Sequence, residues 1–314
     1  MKAAILAAGL GTRLRPLTNR VPKALLPVLN RPLLGLWLER LEAAGFVQVA
    51  VNTHHLGGQV QDFLSRGGPW GLHLKMSPEP GLLGTGGGLR RLGELLGPAP
   101  FLAVNGDILT DLDLAALGRE HRRDAIATLI LHDCPPHNHV WVGDGLVVGI
   151  GAAPAGGAAL PLAYTGLQMV SPEMLAFLPP GQPYDLVAAW RQALAAGARL
   201  AAVTVSGHFW EDLGTPRGYL AAHRRLLAGE ARTLRSFFPH LADPYLGPGA
   251  ALGPGAECAA AVCLGAGVQV GAGAFLADIV VLDGAEIAPG VRLKNCIVGP
   301  GARVLHSARG QILT

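Results

Sequence analysis

Hydrophobic positions along the first two thirds of the chain follow two alternating patterns. Short apolar runs at 3–8, 47–51 and 101–108 predict strands, and the first of them has no polar interruption, as expected for a strand buried on both faces of a parallel sheet. Residues 32–45 instead carry apolar positions at helical spacing and end in a glycine, which predicts a helix. This order of elements predicts an α/β fold with a Rossmann-like mixed, mostly parallel sheet.

The same patterns continue to residue 228. Further strands are expected at 72–76, 125–132, 162–170 and 200–205, a β-hairpin at 140–150, and helices at 56–64, 89–96, 184–196 and 219–227. Between the strand at 72–76 and the helix at 89–96, residues 83–88 are dense in glycine. Glycine costs conformational entropy, so we expect a loop here whose backbone approaches a ligand closely.

The pattern changes from residue 246 onward. An apolar residue or cysteine recurs every six residues, at Leu246, Leu252, Cys258, Leu264, Val270 and Leu276. The period slips near 280 and resumes at 297–301. Hexapeptide periodicity predicts a left-handed parallel β-helix. We therefore expect a first domain at 1–228, a linker at 229–245 and a β-helix at 246–314. We expect the β-helix to be structural, serving homo-oligomerisation or docking.

Composition excludes several function classes. Half of the 314 residues are hydrophobic and the mean hydropathy is +0.36, yet no apolar stretch approaches the roughly 20 residues of a membrane span. The amino terminus lacks the cleavage region of a signal peptide, so we expect a soluble, cytoplasmic protein. The net charge of +3 without a long basic run makes nucleic acid an unsuitable partner. The four cysteines form no Cys-x-x-Cys pair and predict reduced thiols.

The loop after the first strand carries the candidate chemistry. Gly9 and Gly11 have no Cβ, so their backbone N–H groups can come close to a phosphate, and Arg13 and Lys23 add positive charge. Two familiar phosphate motifs do not fit. The dinucleotide fingerprint requires glycine where Leu14 stands, and the P-loop sequence is absent.

The combined motif Gly9-Leu-Gly11-Thr12-Arg13, Pro16-Leu-Thr18 and Pro22-Lys23 resembles the signature of the nucleotidyltransferases that make nucleoside-diphosphate sugars. Gly-x-Gly alone would be weak support, but this pattern extends over about twenty residues with fixed spacing. Later segments also resemble the family, at 83–88, 105–107, 164–166 and 210–215. The resemblance covers essentially all of residues 1–228 and implies transfer of a nucleotidyl group from an NTP to a sugar 1-phosphate.

The resemblance also implies a role for each motif residue. Arg13 and Lys23 are the catalytic cations. Asp107 and Asp212 are the ligands of Mg²⁺, the expected cofactor. The nucleotide contacts are Ala7, Ala8, Gly9, Gly11, Thr12, Glu79, Gly84, Thr85 and Gly86, and the sugar contacts are Asn105, Tyr164, Thr165 and Gly166.

From the residues alone, Asp107 is either a helix cap or a metal ligand, and Asp212 could also cap the following helix. We favour the metal role because a triphosphate normally arrives with magnesium, and because Thr215 is the better cap. One departure matters. Many family members place Glu-Lys-Pro upstream of the sugar loop, with the lysine on the sugar phosphate, whereas this chain has Leu160-Pro161-Leu162. The cation for the sugar phosphate is therefore unassigned.

Two branches of the family compete for the substrate. An appended β-helix is common in proteins like mannose-1-phosphate guanylyltransferase. The details of 77–88 and 105–107 and the missing Glu-Lys-Pro look more like N-acetylmuramate 1-phosphate uridylyltransferase, which resembles only the first domain. We favour uridylyl transfer, yielding a sugar nucleotide for cell-envelope polysaccharide. A non-catalytic subunit that senses NDP-sugar is a third reading, but it has no need of both metal carboxylates.

Overall fold

The computed structural model describes residues 1–154 and 159–314, which divide into two compact units. The first unit contains residues 1–9, 37–108 and 112–208, and the second contains residues 10–36, 109–111 and 209–314. The predicted domain boundary at residue 228 rests on a change in the sequence pattern. The two units are defined by contacts between residues, and their boundaries lie at other positions. No helix among the described residues has the length and apolar character needed to span a membrane.

The helices and strands are numbered along the chain. The helices are α1 (Leu33–Ala43), α2 (Gly57–Ser65), α3 (Gly84–Leu96), α4 (Leu114–Arg119), α5 (Leu186–Ala195) and α6 (Pro216–Leu227). The strands before α6 are β1 (Lys2–Leu6), β2 (Pro27–Val28), β3 (Arg31–Pro32), β4 (Gln48–Thr53), β5 (His73–Pro78), β6 (Phe101–Asn105), β7 (Ile108–Thr110), β8 (Ala127–His132), β9 (Val140–Gly143), β10 (Leu146–Ile150), β11 (Leu160–Val170), β12 (Leu200–Thr204) and β13 (Trp210–Asp212). Those after α6 are β14 (Tyr245–Leu246), β15 (Ala251–Leu252), β16 (Glu257–Leu264), β17 (Gln269–Val270), β18 (Phe275–Val281), β19 (Glu286–Ile287), β20 (Arg292–Lys294), β21 (Ile297–Val298), β22 (Arg303–Val304), β23 (Ala308–Arg309) and β24 (Ile312–Leu313).

The first unit is built on a nine-stranded sheet in the order β5-β4-β1-β6-β11-β8-β12-β10-β9. Strands β5, β4, β1 and β6 pair in parallel, whereas β11 runs antiparallel to its neighbours β6 and β8. The sheet is therefore mixed, as the sequence predicts, and β8 and β12 also pair in parallel. The carboxyl ends of β5, β4, β1 and β6 share one edge, which is where open α/β sheets bind ligands.

Helix α3 begins at Gly84, so most of the glycine-rich segment expected as a loop is helical. The prediction of a loop at 83–88 is wrong because the glycines are needed for packing. A Cβ at Gly87 would lie 2.7 Å from the carbonyl oxygen of Gln182, and one at Gly88 would lie 2.6 Å from Nδ2 of Asn52. Tertiary packing therefore outweighs the low helix propensity of glycine.

The second unit contains the repeats, whose short strands stack into two parallel sheets. One sheet runs β14-β16-β18-β20-β23, with β21 and β24 beside it, and the other runs β15-β17-β19-β22. The turns are unequal in length. Tyr245 pairs with Cys263, eighteen residues on, but Glu286 pairs with Arg303, only seventeen residues on. This shortening follows an irregularity in β16 and accounts for the slip in the hexapeptide period. Stacked parallel strands are the arrangement expected of a β-helix, and its handedness stays a prediction.

Candidate active site

In the second unit, the loop after β1 is held by a tight turn at Gly11. Its φ of +62° is left-handed, and a Cβ there would lie 2.8 Å from Cγ2 of Thr18. The hydroxyl of Thr18 donates to the Gly11 carbonyl at 2.8 Å, and Leu14 is fully buried beneath the short 3₁₀ turn at 12–14. The turn is thus anchored on its inner side, while Thr12 and Arg13 remain exposed.

The same unit brings Arg13 and Asp212 together. Arg13 Nη2 lies 3.9 Å from Asp212 Oδ2, and the two side chains are 60% and 36% exposed. At this distance and exposure the pair adds little to stability. Asp212 is instead fixed by its other oxygen, which accepts the N–H of Gly214 at 2.7 Å. The second oxygen lies beside a guanidinium on a partly exposed side chain and can bind a ligand.

Lys23 joins this pair around Gly214, a glycine of the 210–215 motif segment to which the sequence analysis gave no role of its own. A Cβ at Gly214 would lie 2.6 Å from Arg13 Nη2, 2.7 Å from Lys23 Nζ and 2.8 Å from Asp212 Oδ1. Two cations and one carboxylate thus converge on a position that only glycine leaves open. Thr215 caps α6 by accepting the N–H of Gly218 at 3.0 Å, which confirms the predicted cap and leaves Asp212 uninvolved in capping.

Gly214→Ala is expected to lower kcat/KM on the order of tenfold, because the new methyl group displaces all three charged side chains, and small misplacements of catalytic groups are costly. The backbone tolerates alanine, since Gly214 is not among the residues with positive φ. Steady-state kinetics with a thermal melt measures both effects. Gly58→Ala is the matched control, because a Cβ there meets nothing within 4 Å. If both variants were equally active, the space at Gly214 would not matter for the positions of the three charged side chains.

In the first unit, the carboxyl edge of β1, β4 and β5 is tied together by side chains. The N–H of Ala7 donates to Oδ1 of Asn52 at 2.6 Å, and Nδ2 of Asn52 donates to Oε1 of Glu79 at 2.8 Å. The other carboxylate oxygen of Glu79 accepts the N–H of Leu83 at 3.1 Å. Glu79 is only 4% exposed, so its carboxylate holds the entry to α3. Asn52 was missed, and its only sequence signal is a polar residue at a buried strand end.

The predicted nucleotide residues of the first unit lie along this edge and the start of α3. Ala8 is buried, whereas Gly9 is exposed beyond the end of β1. Gly84 and Thr85 are exposed and line a cavity of about 290 Å³. Gly86 is buried, and its N–H donates to the carbonyl of Tyr184 at 2.9 Å.

The predicted sugar residues occupy β11 and the end of β6. Gly166 has a φ of +89°, and a Cβ there would lie 3.3 Å from Cβ of Asn105, so these two positions are neighbours. Thr165 is fully buried and donates to the carbonyl of Ile130 at 2.8 Å, which occupies its side chain inside the sheet. Tyr164 packs edge-on against Trp190, and burial raises the pKa of its hydroxyl, which therefore stays protonated.

Asp107 also belongs to the first unit, in the turn between β6 and β7. It is half-buried and caps no helix, since α4 starts later and is capped by Asp113. The turn itself is pinned by its neighbour, because the N–H of Gly106 donates to the carbonyl of Leu6 at 2.9 Å. The capping alternative for Asp107 is thereby removed.

Comparison with known proteins places most of the chain in one group. Residues 2–229 match the family model described as nucleotidyl transferase. Over 225 residues, 68% of this chain and 94% of the relative, it is 40% identical to the N-acetylmuramate alpha-1-phosphate uridylyltransferase of Neisseria meningitidis serogroup B. Over 320 residues, 96% of this chain and 80% of the relative, it is 30% identical to the mannose-1-phosphate guanylyltransferase of Mycobacterium tuberculosis.

Solved structures give the same fold. A putative glucose-1-phosphate thymidylyltransferase from Bacillus anthracis, in complex with a sucrose, superposes with a TM-score of 0.61 at 21% identity. The match covers 71% of this chain and 93% of that one. At this identity the likeness shows the fold alone.

Proposed function

Because this chain belongs to the nucleotidyl transferase family, whose model matches residues 2–229, we propose that it transfers UMP from UTP to an N-acetylmuramate-like sugar 1-phosphate. Its relatives are sugar-1-phosphate nucleotidyltransferases, and the chain is one as well. The uridylyl assignment is supported by the Neisseria relative, of which the chain covers 94%. The observation that carries the proposal is the convergence of Arg13, Lys23 and Asp212 around Gly214.

In this reaction an oxygen of the sugar phosphate attacks the α-phosphorus in line, the bond to the β-phosphate oxygen breaks, and pyrophosphate leaves. Little covalent work falls to the protein, so catalysis consists of positioning and charge neutralisation. Arg13 and Lys23 carry positive charge to the phosphates from a fixed turn. The guanidinium can bind two phosphate oxygens at once, whereas the ammonium acts as a point charge.

The carboxylates suit magnesium. This ion takes oxygen ligands, keeps several waters, and in phosphoryl-transfer sites uses one or two carboxylates with the substrate phosphates. Asp212 fits, because one oxygen is held by Gly214, the other lies on the side of Arg13, and the side chain is partly exposed. We assign Asp107 the same role from its Gly-Asp motif and its lack of a capping function. Bound magnesium would neutralise phosphate charge.

We assign nucleotide binding to residues 7–12 and to the start of α3. Backbone N–H groups beside Gly9 and Gly11 meet phosphate oxygens, and Thr12 is exposed next to them. Glu79 contributes by shaping the loop at 80–84 through Leu83 and Asn52. The sugar is assigned to Asn105, Tyr164 and Gly166, with the backbone of Thr165.

A guanylyltransferase acting on mannose 1-phosphate is the second candidate. It is favoured by the Mycobacterium relative, because that match extends over 96% of this chain and therefore includes the repeats. A non-catalytic sensor of NDP-sugar is disfavoured, since binding alone does not need a carboxylate that converges with two cations on one position.

Pyrophosphate release over a matrix of UTP, GTP, dTTP and ATP against N-acetylmuramate, mannose and glucose 1-phosphates tests the proposal. We expect the highest kcat/KM for UTP with N-acetylmuramate 1-phosphate. A maximum at GTP with mannose 1-phosphate would replace the substrate assignment but keep the reaction. Absence of release with every pair, together with tight binding of an NDP-sugar, would overturn catalysis in favour of sensing.

A further inference from the structure

The repeat segment carries a cationic cavity that the nucleotidyl transfer reaction does not use. The basic cavity, as we name it, is an open surface groove of about 410 Å³ whose polar lining residues are exposed, and it is lined by Phe275, Arg292, Leu293, Lys294, Ser307, Ala308 and Arg309. These residues lie on or beside β18, β20 and β23, and all belong to the second unit. The basic cavity shares no residue with the cluster around Gly214.

Strand register forces its cations close together. Lys294 pairs directly with Arg309 in parallel strands, whose backbones lie roughly 4.8 Å apart. Like charges placed opposite one another on neighbouring strands are destabilising. Arg292 is aligned with Phe275 on the preceding strand, and its guanidinium lies 4.2 Å from the centre of that ring. The ring thus holds the Arg292 guanidinium on the β18 side of β20, whereas Arg309 lies on the β23 side.

No carboxylate neutralises this charge. Among residues 1–154 and 159–314, Arg292, Lys294 and Arg309 form no ion pair. The other sheet of the repeats provides a contrast, because Arg303 on β22 pairs with Glu286 on the strand beside it at 2.7 Å. The repeats therefore neutralise an arginine on one face and leave three cations uncompensated on another.

Protection of a sheet edge explains only part of this pattern. Strand β23 is the last in its sheet, and a charged residue at such an edge discourages pairing with other chains. That role needs Arg309 alone. Arg292 and Lys294 lie one strand inward, where the backbone is already paired on both sides.

We propose that the basic cavity binds a small molecule carrying two phosphate groups. A guanidinium donates two parallel N–H hydrogen bonds to phosphate oxygens, and the lysine ammonium adds a compact charge. Ser307 can donate its hydroxyl, since its oxygen is already fixed by the N–H of Arg292 at 2.9 Å. The volume lies within the range of roughly 300 to 1,000 Å³ typical of small-molecule sites.

Calorimetry on the full chain tests this proposal, with inorganic diphosphate and glucose 1,6-bisphosphate as probes at low ionic strength in EDTA. For at least one probe we expect a binding event that the Lys294→Gln/Arg309→Gln double variant weakens on the order of a hundredfold, since two charge-assisted contacts are lost. Arg303→Gln is the control and should bind as the unmodified protein does. The proposal fails if neither probe binds at a site sensitive to the double variant, or if the control loses as much.

Two further measurements guard against misfolding of the variant. Its melting temperature should match or exceed that of the unmodified protein, because an opposed pair of like charges is removed.

Chemical labelling of the unmodified protein is the second measurement and needs no variant. The aldehyde of pyridoxal 5′-phosphate condenses with a lysine amine and releases water, and borohydride then reduces the imine. We expect Lys294 to be labelled faster than Lys75 and to be protected by diphosphate. Equal, unprotected labelling would contradict the proposal.

Discussion

Asp212→Asn is expected to reduce kcat/KM by about a thousandfold while leaving the protein folded, an effect typical of losing one charge-stabilising group at a phosphoryl or acyl transfer site. The amide keeps an oxygen that can accept the N–H of Gly214, now 2.7 Å from Oδ1, so the turn into α6 is preserved. What disappears is the negative charge beside Arg13. Asp107→Asn is expected to cause a loss of similar size. Steady-state kinetics with varied magnesium measures both.

Glu211→Gln provides the matched control for Asp212→Asn. Glu211 precedes Asp212 on β13 but pairs with Arg225 at 2.7 Å, so it faces a different partner. Arg225 also stacks on Phe209 at 4.5 Å, and losing the pair should cost roughly 1 kcal/mol of stability. Activity should stay within about twofold. If Glu211→Gln lost as much activity as Asp212→Asn, the loss would reflect damage to β13, and the assignment of Asp212 would be wrong.

Local sequence patterns predicted many of the helices and strands. Buried strands such as β1 and β6 are visible because their apolar runs are continuous, and the cap at Thr215 follows from the polar residue before Pro216. The combined spacing of Arg13 and Lys23 also identified two side chains that the structure brings together.

Close approach between distant segments could not be predicted in the same way. Gly214 is one of 44 glycines, and although it lies in the 210–215 segment that resembles the family, the sequence does not show which side chains approach it. Only the folded chain shows three charged side chains around it. The prediction of a loop at 83–88 failed for the same reason. Helix propensity depends on the local sequence, whereas the contacts of these glycines with Gln182 and Asn52 join distant segments.

Burial also decides which motif residues are available to a ligand. Glu79 and Thr165 carry polar side chains in motif positions. Both side chains form hydrogen bonds to other residues inside the first unit. A sequence motif records that a residue type is required at a position. It does not tell whether the side chain contacts the substrate or supports the loop that makes the contact. The burial and the hydrogen-bond partners of the side chain in the structure distinguish the two roles.

Arg13→Ala is expected to lower kcat by about a thousandfold with a smaller change in KM, because the guanidinium stabilises charge that grows on the phosphates in the transition state. Stability should be unaffected. The side chain is 60% exposed, and its ion pair with Asp212 spans 3.9 Å, which is a weak interaction in water. Single-turnover kinetics separates this effect from substrate binding, and a thermal melt checks the fold.

Arg15→Ala is the control for Arg13→Ala, since Arg15 is exposed at the end of the same 3₁₀ turn and its backbone N–H closes that turn onto Thr12. Removing its side chain changes the net charge equally but should leave kcat within about twofold. Arg13→Lys should fall between the two, because it keeps the charge and loses the planar fork that binds two oxygens. If Arg13→Ala and Arg15→Ala reduced kcat alike, the effect would be general attraction of an anionic substrate, and Arg13 would have no specific part in the transfer.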